Sequence, residues 1–144
     1  MPAILRMYVR GFEHMQKTPV REIQGTDWEE TVEKSALPVA VMFYSPTCPH
    51  CKTMEPYFRN YATEYDGKML FVRLNLAENL WIGERYGVMA TPTFGFFCAG
   101  KPVQSISGAV YPSILKQRAE EVLVHGAECA ELSSAVDYEI SGYA

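Results

Sequence analysis

Apolar residues in this chain fall into short runs separated by polar, glycine- and proline-containing breaks, and the period changes from run to run. Residues 37–45 are nearly continuous and valine-rich, the pattern of a strand buried on both faces. Residues 69–76 form a second such run, and residues 20–23 a shorter one. Thr26-Asp27-Trp28-Glu29 reads as a capping box opening a helix to about residue 35. The spacing predicts a longer helix over 48–65, with Pro56 expected to kink it and Asp66-Gly67 turning the chain at its end. Another helix over 79–86 should stop at Gly87. Residues 93–98 and 102–107 flank Ala99-Gly100-Lys101 as a hairpin. Pro112 suits a first helical position, with a helix running to about residue 125. Parallel strand–helix units followed by a hairpin predict an α/β fold, a mixed sheet with helices on both faces.

At 144 residues the chain has the size of one domain. Residues 18–125 carry the patterned elements, and 1–17 and 126–144 read as N- and C-terminal extensions. The net charge of −4 and the lack of a basic run argue against a nucleic-acid partner. The first 17 residues, with Arg6, Arg10, Glu13 and Lys17, contain no apolar run of signal-peptide length. The longest apolar stretch is too short to cross a bilayer, so the expectation is a cytoplasmic protein with no membrane partner. Thiols are normally kept reduced in the cytoplasm, which makes structural disulfides the less expected use of four cysteines.

The chemistry concentrates in Cys48-Pro49-His50-Cys51, two thiols three residues apart where a strand gives way to a helix. A sulfur at that helix start meets unpaired backbone N–H groups and the positive end of the dipole, which favour the reactive thiolate. The second cysteine follows within about one turn, close enough to attack the first. The competing chemistry is half of a zinc site, but zinc usually takes four ligands, and no second Cys-x-x-Cys or histidine pair occurs. No metal and no other cofactor is expected.

Together with this motif, Tyr86-Gly87-Val88, Ala90-Thr91-Pro92-Thr93, Gly100 and Gly108-Ala109 occur in the order and near the spacing of a known family. Over residues 20–124 the chain resembles the thioredoxin family. The resemblance implies a thioredoxin fold, a central mixed β-sheet flanked by helices on both faces. It also implies a thiol–disulfide oxidoreductase of cell redox homeostasis, with Cys48 as nucleophile and Cys51 as resolving thiol. His50 would favour the Cys48 thiolate. Pro92 would follow a cis bond from Thr91, and the Thr91 backbone, with Thr47, would bind an extended substrate segment. Implied partners are protein or small-molecule disulfides and dithiols, with a thioredoxin-reductase-like or low-molecular-weight thiol donor of electrons.

Pro49-His50 resembles the dipeptide of the periplasmic disulfide oxidases, so the pair is expected to be more oxidising than that of a typical thioredoxin. Two positions depart from the family. Met42 stands where a buried Asp commonly serves the second thiol, and Thr47 stands where Trp commonly precedes the first. Arg73 stands where the family often has Lys, and reads equally as a solvated strand-end charge.

Cys98 reads as a buried strand thiol, Cys129 has no legible partner, and His14 and His125 read as surface or packing residues. A second disulfide between Cys98 and Cys129 needs compatible geometry. Trp28, Tyr57, Phe58, Tyr61 and Trp81 read as core or core edge. The alternatives to an exchange enzyme are a thioredoxin-fold binding module without turnover and a metal-binding redox sensor using Cys48, Cys51 and His50.

Overall fold

The computed structural model describes residues 19–125, so both extensions, His14 and Cys129 lie outside the described residues. Five strands form one sheet: β1 (Val20–Ile23), β2 (Val39–Tyr44), β3 (Leu70–Asn75), β4 (Thr93–Cys98) and β5 (Lys101–Ser107). Their order across the sheet is β1-β3-β2-β4-β5. The β1–β3 and β2–β3 pairs are parallel, and the β2–β4 and β4–β5 pairs antiparallel. The sheet is therefore mixed, as the sequence pattern predicts.

Three α-helices pack on it: α1 (Pro49–Glu64), α2 (Leu80–Tyr86) and α3 (Pro112–Val124). Because β2 is buried along its length, its residues alternate between two separate cores. Ala40 and Met42 join Cys48, Cys51, Met54 and Phe58 of the α1 side and Leu115 and Ala119 of α3. Val39, Val41 and Phe43 join Trp28, Val32 and Ile82 on the opposite face.

Local signals explain most of the boundaries. Gly87 ends α2 at a φ of 67°, a left-handed conformation that glycine adopts without a Cβ penalty. The hairpin turn is Ala99-Gly100, at φ 50° and 80°, and Lys101 is already paired with Cys98. Two positive φ values in a two-residue connection match the right-handed twist of the flanking strands. Pro56 lies inside α1, and Pro112 occupies the start of α3.

The segment after β1 differs from the expected helix. A 3₁₀ turn over Gly25–Asp27 is followed by a π-helical turn over Glu29–Glu33. The cap falls two residues earlier than Thr26, because the Asp27 carboxylate accepts the Gln24 N–H at 3.0 Å. The Gly25 N–H donates to Asn79 Oδ1 at 2.8 Å, which ties this turn to the start of α2 instead of into its own helix.

Candidate active site

Cys48 is the residue that caps α1. Its backbone is extended, its side chain accepts the Cys51 N–H at 3.2 Å, and Pro49 occupies the first helical position. The missing N–H of Pro49 costs nothing there, since helix-end donors have no intrahelical partner. The sulfur of Cys48 thus takes the place usually held by a serine or aspartate oxygen. The two sulfurs are bonded, with their Cα atoms 5.3 Å apart.

The strand β2 delivers the chain to this point. Its last residues are held between β3 and β4, and Ser45 to Thr47 carry it round to the helix start. Cys48 is 9% exposed and Cys51 3%, whereas Thr47, Pro49 and His50 are exposed around them. The first sulfur therefore lies at the rim, and the second is shielded beneath the helix.

The loop before β4 closes the other side. The Thr91–Pro92 bond is cis, and the Thr91 carbonyl oxygen is 3.4 Å from Cys48 Sγ. Thr91 is half-buried beside exposed Met89 and Ala90. The Pro92 carbonyl accepts the Gly108 N–H at 2.7 Å, which fixes this loop to the end of β5. All seven residues expected at the site are accordingly in one region: Thr47, Cys48, Pro49, His50 and Cys51 on one wall, Thr91 and Pro92 on the other.

Behind Cys51 a cavity of about 230 Å³ opens between β2, β3 and α1, and Met42, Lys52, Glu55 and Arg73 line it. Arg73 is not the solvated strand-end charge that one reading allowed. Its Nε donates to Glu22 Oε1 at 2.8 Å, its Nη1 donates to Glu55, and its guanidinium lies 4.2 Å from the centre of the Tyr44 ring. Burial opposes the Arg73 charge, but hydrogen bonding to Tyr44 and Glu22 more than offsets it, so its pKa is raised. Burial and the hydrogen bond to Glu22 raise the Tyr44 pKa as well. Glu55 and Glu22 were not singled out in the sequence. The available signal was the four-residue spacing from Cys51 to Glu55, which puts both on one helix face.

Other expectations need correction. Cys98 is buried in the core on β4, but it is disulfide-bonded and not a free thiol. Trp28 and Phe58 are core residues, yet Tyr57 and Trp81 are 41% and 52% exposed. The Trp81 ring instead covers Gly25, where an added Cβ would come within 2.7 Å of it. Among the described residues no three histidine, cysteine or carboxylate side chains are grouped to hold a metal ion, and no helix is long and apolar enough to cross a membrane.

With this geometry in place, a family model described as Thioredoxin matches residues 19–121. The chain belongs to the thioredoxin family. Among similar proteins, the chloroplastic M-type thioredoxin of Spinacia oleracea is 36% identical over 104 residues, 72% of this chain and 58% of that protein. The corresponding protein of Pisum sativum is 33% identical over 72% of this chain and 60% of its own length. A thioredoxin of Synechocystis is 33% identical over 109 residues, which is 76% of this chain and 100% of that one. The chain thus spans less than two thirds of these plant relatives but matches the cyanobacterial one throughout. The sheet and its helices form a thioredoxin fold, with the Cys48–Cys51 pair in the family's Cys-x-x-Cys arrangement.

Proposed function

We propose that this protein is a thiol–disulfide oxidoreductase in which Cys48 is the nucleophile and Cys51 the resolving thiol. The observation that carries this reading is the cap: Cys48 Sγ accepts the Cys51 N–H at the start of α1 while within bonding distance of Cys51. A sulfur so placed is stabilised as a thiolate by the helix end. It attacks a substrate disulfide and forms a mixed disulfide; Cys51 then attacks Cys48, and the substrate leaves reduced. The same steps in reverse oxidise a dithiol.

In this proposal Pro49 sets the helix start and His50 supplies a nearby imidazole. The Thr91 backbone, beside cis Pro92, pairs with an extended substrate segment, while Thr47 offers a small side chain where a larger one would crowd the approach. Residues 18–125 form the exchanging domain, with 1–17 and 126–144 appended. Substrates are protein or small disulfides and dithiols, and electrons come from a reductase or a small thiol. A reducing compartment suits this use. The cytoplasm is our reading, and the relatives named as chloroplastic make a plastid the alternative to test.

Mixed disulfides trapped by Cys51→Ser in cell extract test the proposal. The expected result is a set of proteins released by reductant and absent when Cys48→Ser is added. Capture of glutathione alone, or of nothing, would count against a protein-exchanging enzyme.

A further inference from the structure

Resolution of the mixed disulfide requires Cys51 to lose a proton. Cys51 is 3% exposed, and the cavity it lines leads past Met42, a side chain with no proton-accepting site. At about 230 Å³ this cavity has room for several waters in contact with polar walls. Its other titratable walls are Tyr44, Lys52, Glu55 and Arg73. An ammonium and a guanidinium have no acceptor site, and the Tyr44 hydroxyl already donates to Glu22 at 2.7 Å. Glu55 is the remaining base.

Its placement suits that use. Glu55 follows Cys51 by four residues on α1, so the two share a helix face. Arg73 of β3 draws its carboxylate toward the sheet, and Arg59 of α1 holds it from the next turn at 2.9 Å. Both guanidiniums bond to Oε1. The groups around it are therefore Lys52 and Arg59 from its own helix, Arg73 from β3, Tyr44 from β2, and Glu22 of β1 across Arg73.

We infer that Glu55 accepts the Cys51 proton on Oε2, through water in this cavity, when Cys51 attacks the mixed disulfide. The inference rests on the exchange function proposed above and assigns that function's missing base. The Cys51 S–H bond breaks and its proton passes to Glu55. The Cys51 thiolate then forms a bond to Cys48 Sγ, the Cys48–substrate S–S bond breaks, and the substrate thiolate takes a proton from solvent or back from Glu55. Arg59 and Arg73 both bond to Oε1, so Oε2 is the oxygen assigned to accept the proton.

The test mixes the reduced full-length chain with a symmetric aromatic disulfide that releases a coloured thiol at each step. The first phase reports Cys48 attack and the second Cys51 attack. In Glu55→Gln the second phase should slow about tenfold near neutral pH, and its rising limb should move to higher pH, while the first phase changes less than about twofold. Glu55→Asp, which keeps an acceptor at shorter reach, should slow the second phase less than Glu55→Gln does. An unchanged second phase, equal slowing of both phases, or Glu55→Asp as slow as Glu55→Gln would overturn the inference. A wild-type chain that releases no second thiol would instead overturn the exchange reading itself.

Discussion

Replacing Met42 by aspartate puts an acid at the family's usual position and tests what this cavity does. Met42 is 2% exposed, packs in the core with Cys51, and pairs with Arg73 in register across the sheet. Removing a buried methionine side chain costs about 2 to 5 kcal/mol when nothing refills its space. The new carboxyl faces a cavity that can admit water, which softens the polar burial cost. A net loss of about 3 kcal/mol near neutral pH follows, a large share of the roughly 5 to 15 kcal/mol of a typical domain. Because Met42 is almost fully buried, the folding cost is substantial alongside any effect on the pH profile.

The sign with pH can be worked out. Burial raises the new carboxyl's pKa, and Arg73 lowers it, but Arg73 already bonds two carboxylates. Burial therefore prevails. The folded state then binds this proton more tightly than the unfolded chain, whose aspartate titrates near about 3.9. The variant is least destabilised below that value and loses further stability as pH rises through the folded pKa. In turnover, an added acceptor beside Cys51 should move the rising limb of the pH–rate curve to lower pH, with a gain of about tenfold on the acid side. Urea unfolding at several pH values and disulfide reduction across the same range measure both effects. Superimposable pH–rate curves would refute a role for this position in moving the Cys51 proton, and a stability loss under about 0.5 kcal/mol would refute the burial estimate.

Replacing Pro49-His50 by Gly-Pro should lower the reduction potential of the pair by at least about 30 mV, a tenfold change in the two-electron equilibrium. Equilibration against a glutathione buffer reads it, and a wild-type value at or below about −270 mV would refute the oxidising tendency. Tyr65 is buried and donates to Glu120 at 2.8 Å, and burial, followed by that bond, raises its pKa. Because the folded state holds the phenol proton more tightly, its contribution is complete below about pH 10 and is lost as pH rises through the folded pKa. Tyr65→Phe should cost about 1 kcal/mol near neutral pH and flatten the alkaline loss in urea unfolding; parallel pH curves for the two proteins would contradict this.

The features legible in the sequence are those whose signal is local. A valine-rich run makes β2, glycine makes the end of α2, and Ala99-Gly100 makes the tight hairpin. The two cysteines announce themselves by spacing, because a helix start needs only the next few residues. The turn after β1 departs from the helix its local pattern predicts because its partner, Asn79, lies 54 residues away from Gly25. Helical periodicity puts Trp81 in the core or at its edge, but it cannot show that the half-exposed ring lies over Gly25. Arg73 and Glu55 are separated by 18 residues and meet only when α1 packs on β3, so neither reads alone as part of a site.

The two sulfurs consequently belong to different environments, although they are one turn apart. Cys48 meets the helix end, the exposed dipeptide and the Thr91 carbonyl, while Cys51 meets the cavity with Glu55 and Arg73 behind it. Changes at the rim alter how strongly the Cys48 thiolate is stabilised, and hence the potential of the pair. On the proposed mechanism, changes in the cavity would alter how fast Cys51 loses its proton, and so resolution in both directions, without fixing the equilibrium between them. One Cys-x-x-Cys geometry could thus be tuned in potential and in rate by separate sets of residues. In the proposal made above, the Cys51 proton leaves toward Glu55 on α1, because Met42 on β2 has no proton-accepting site.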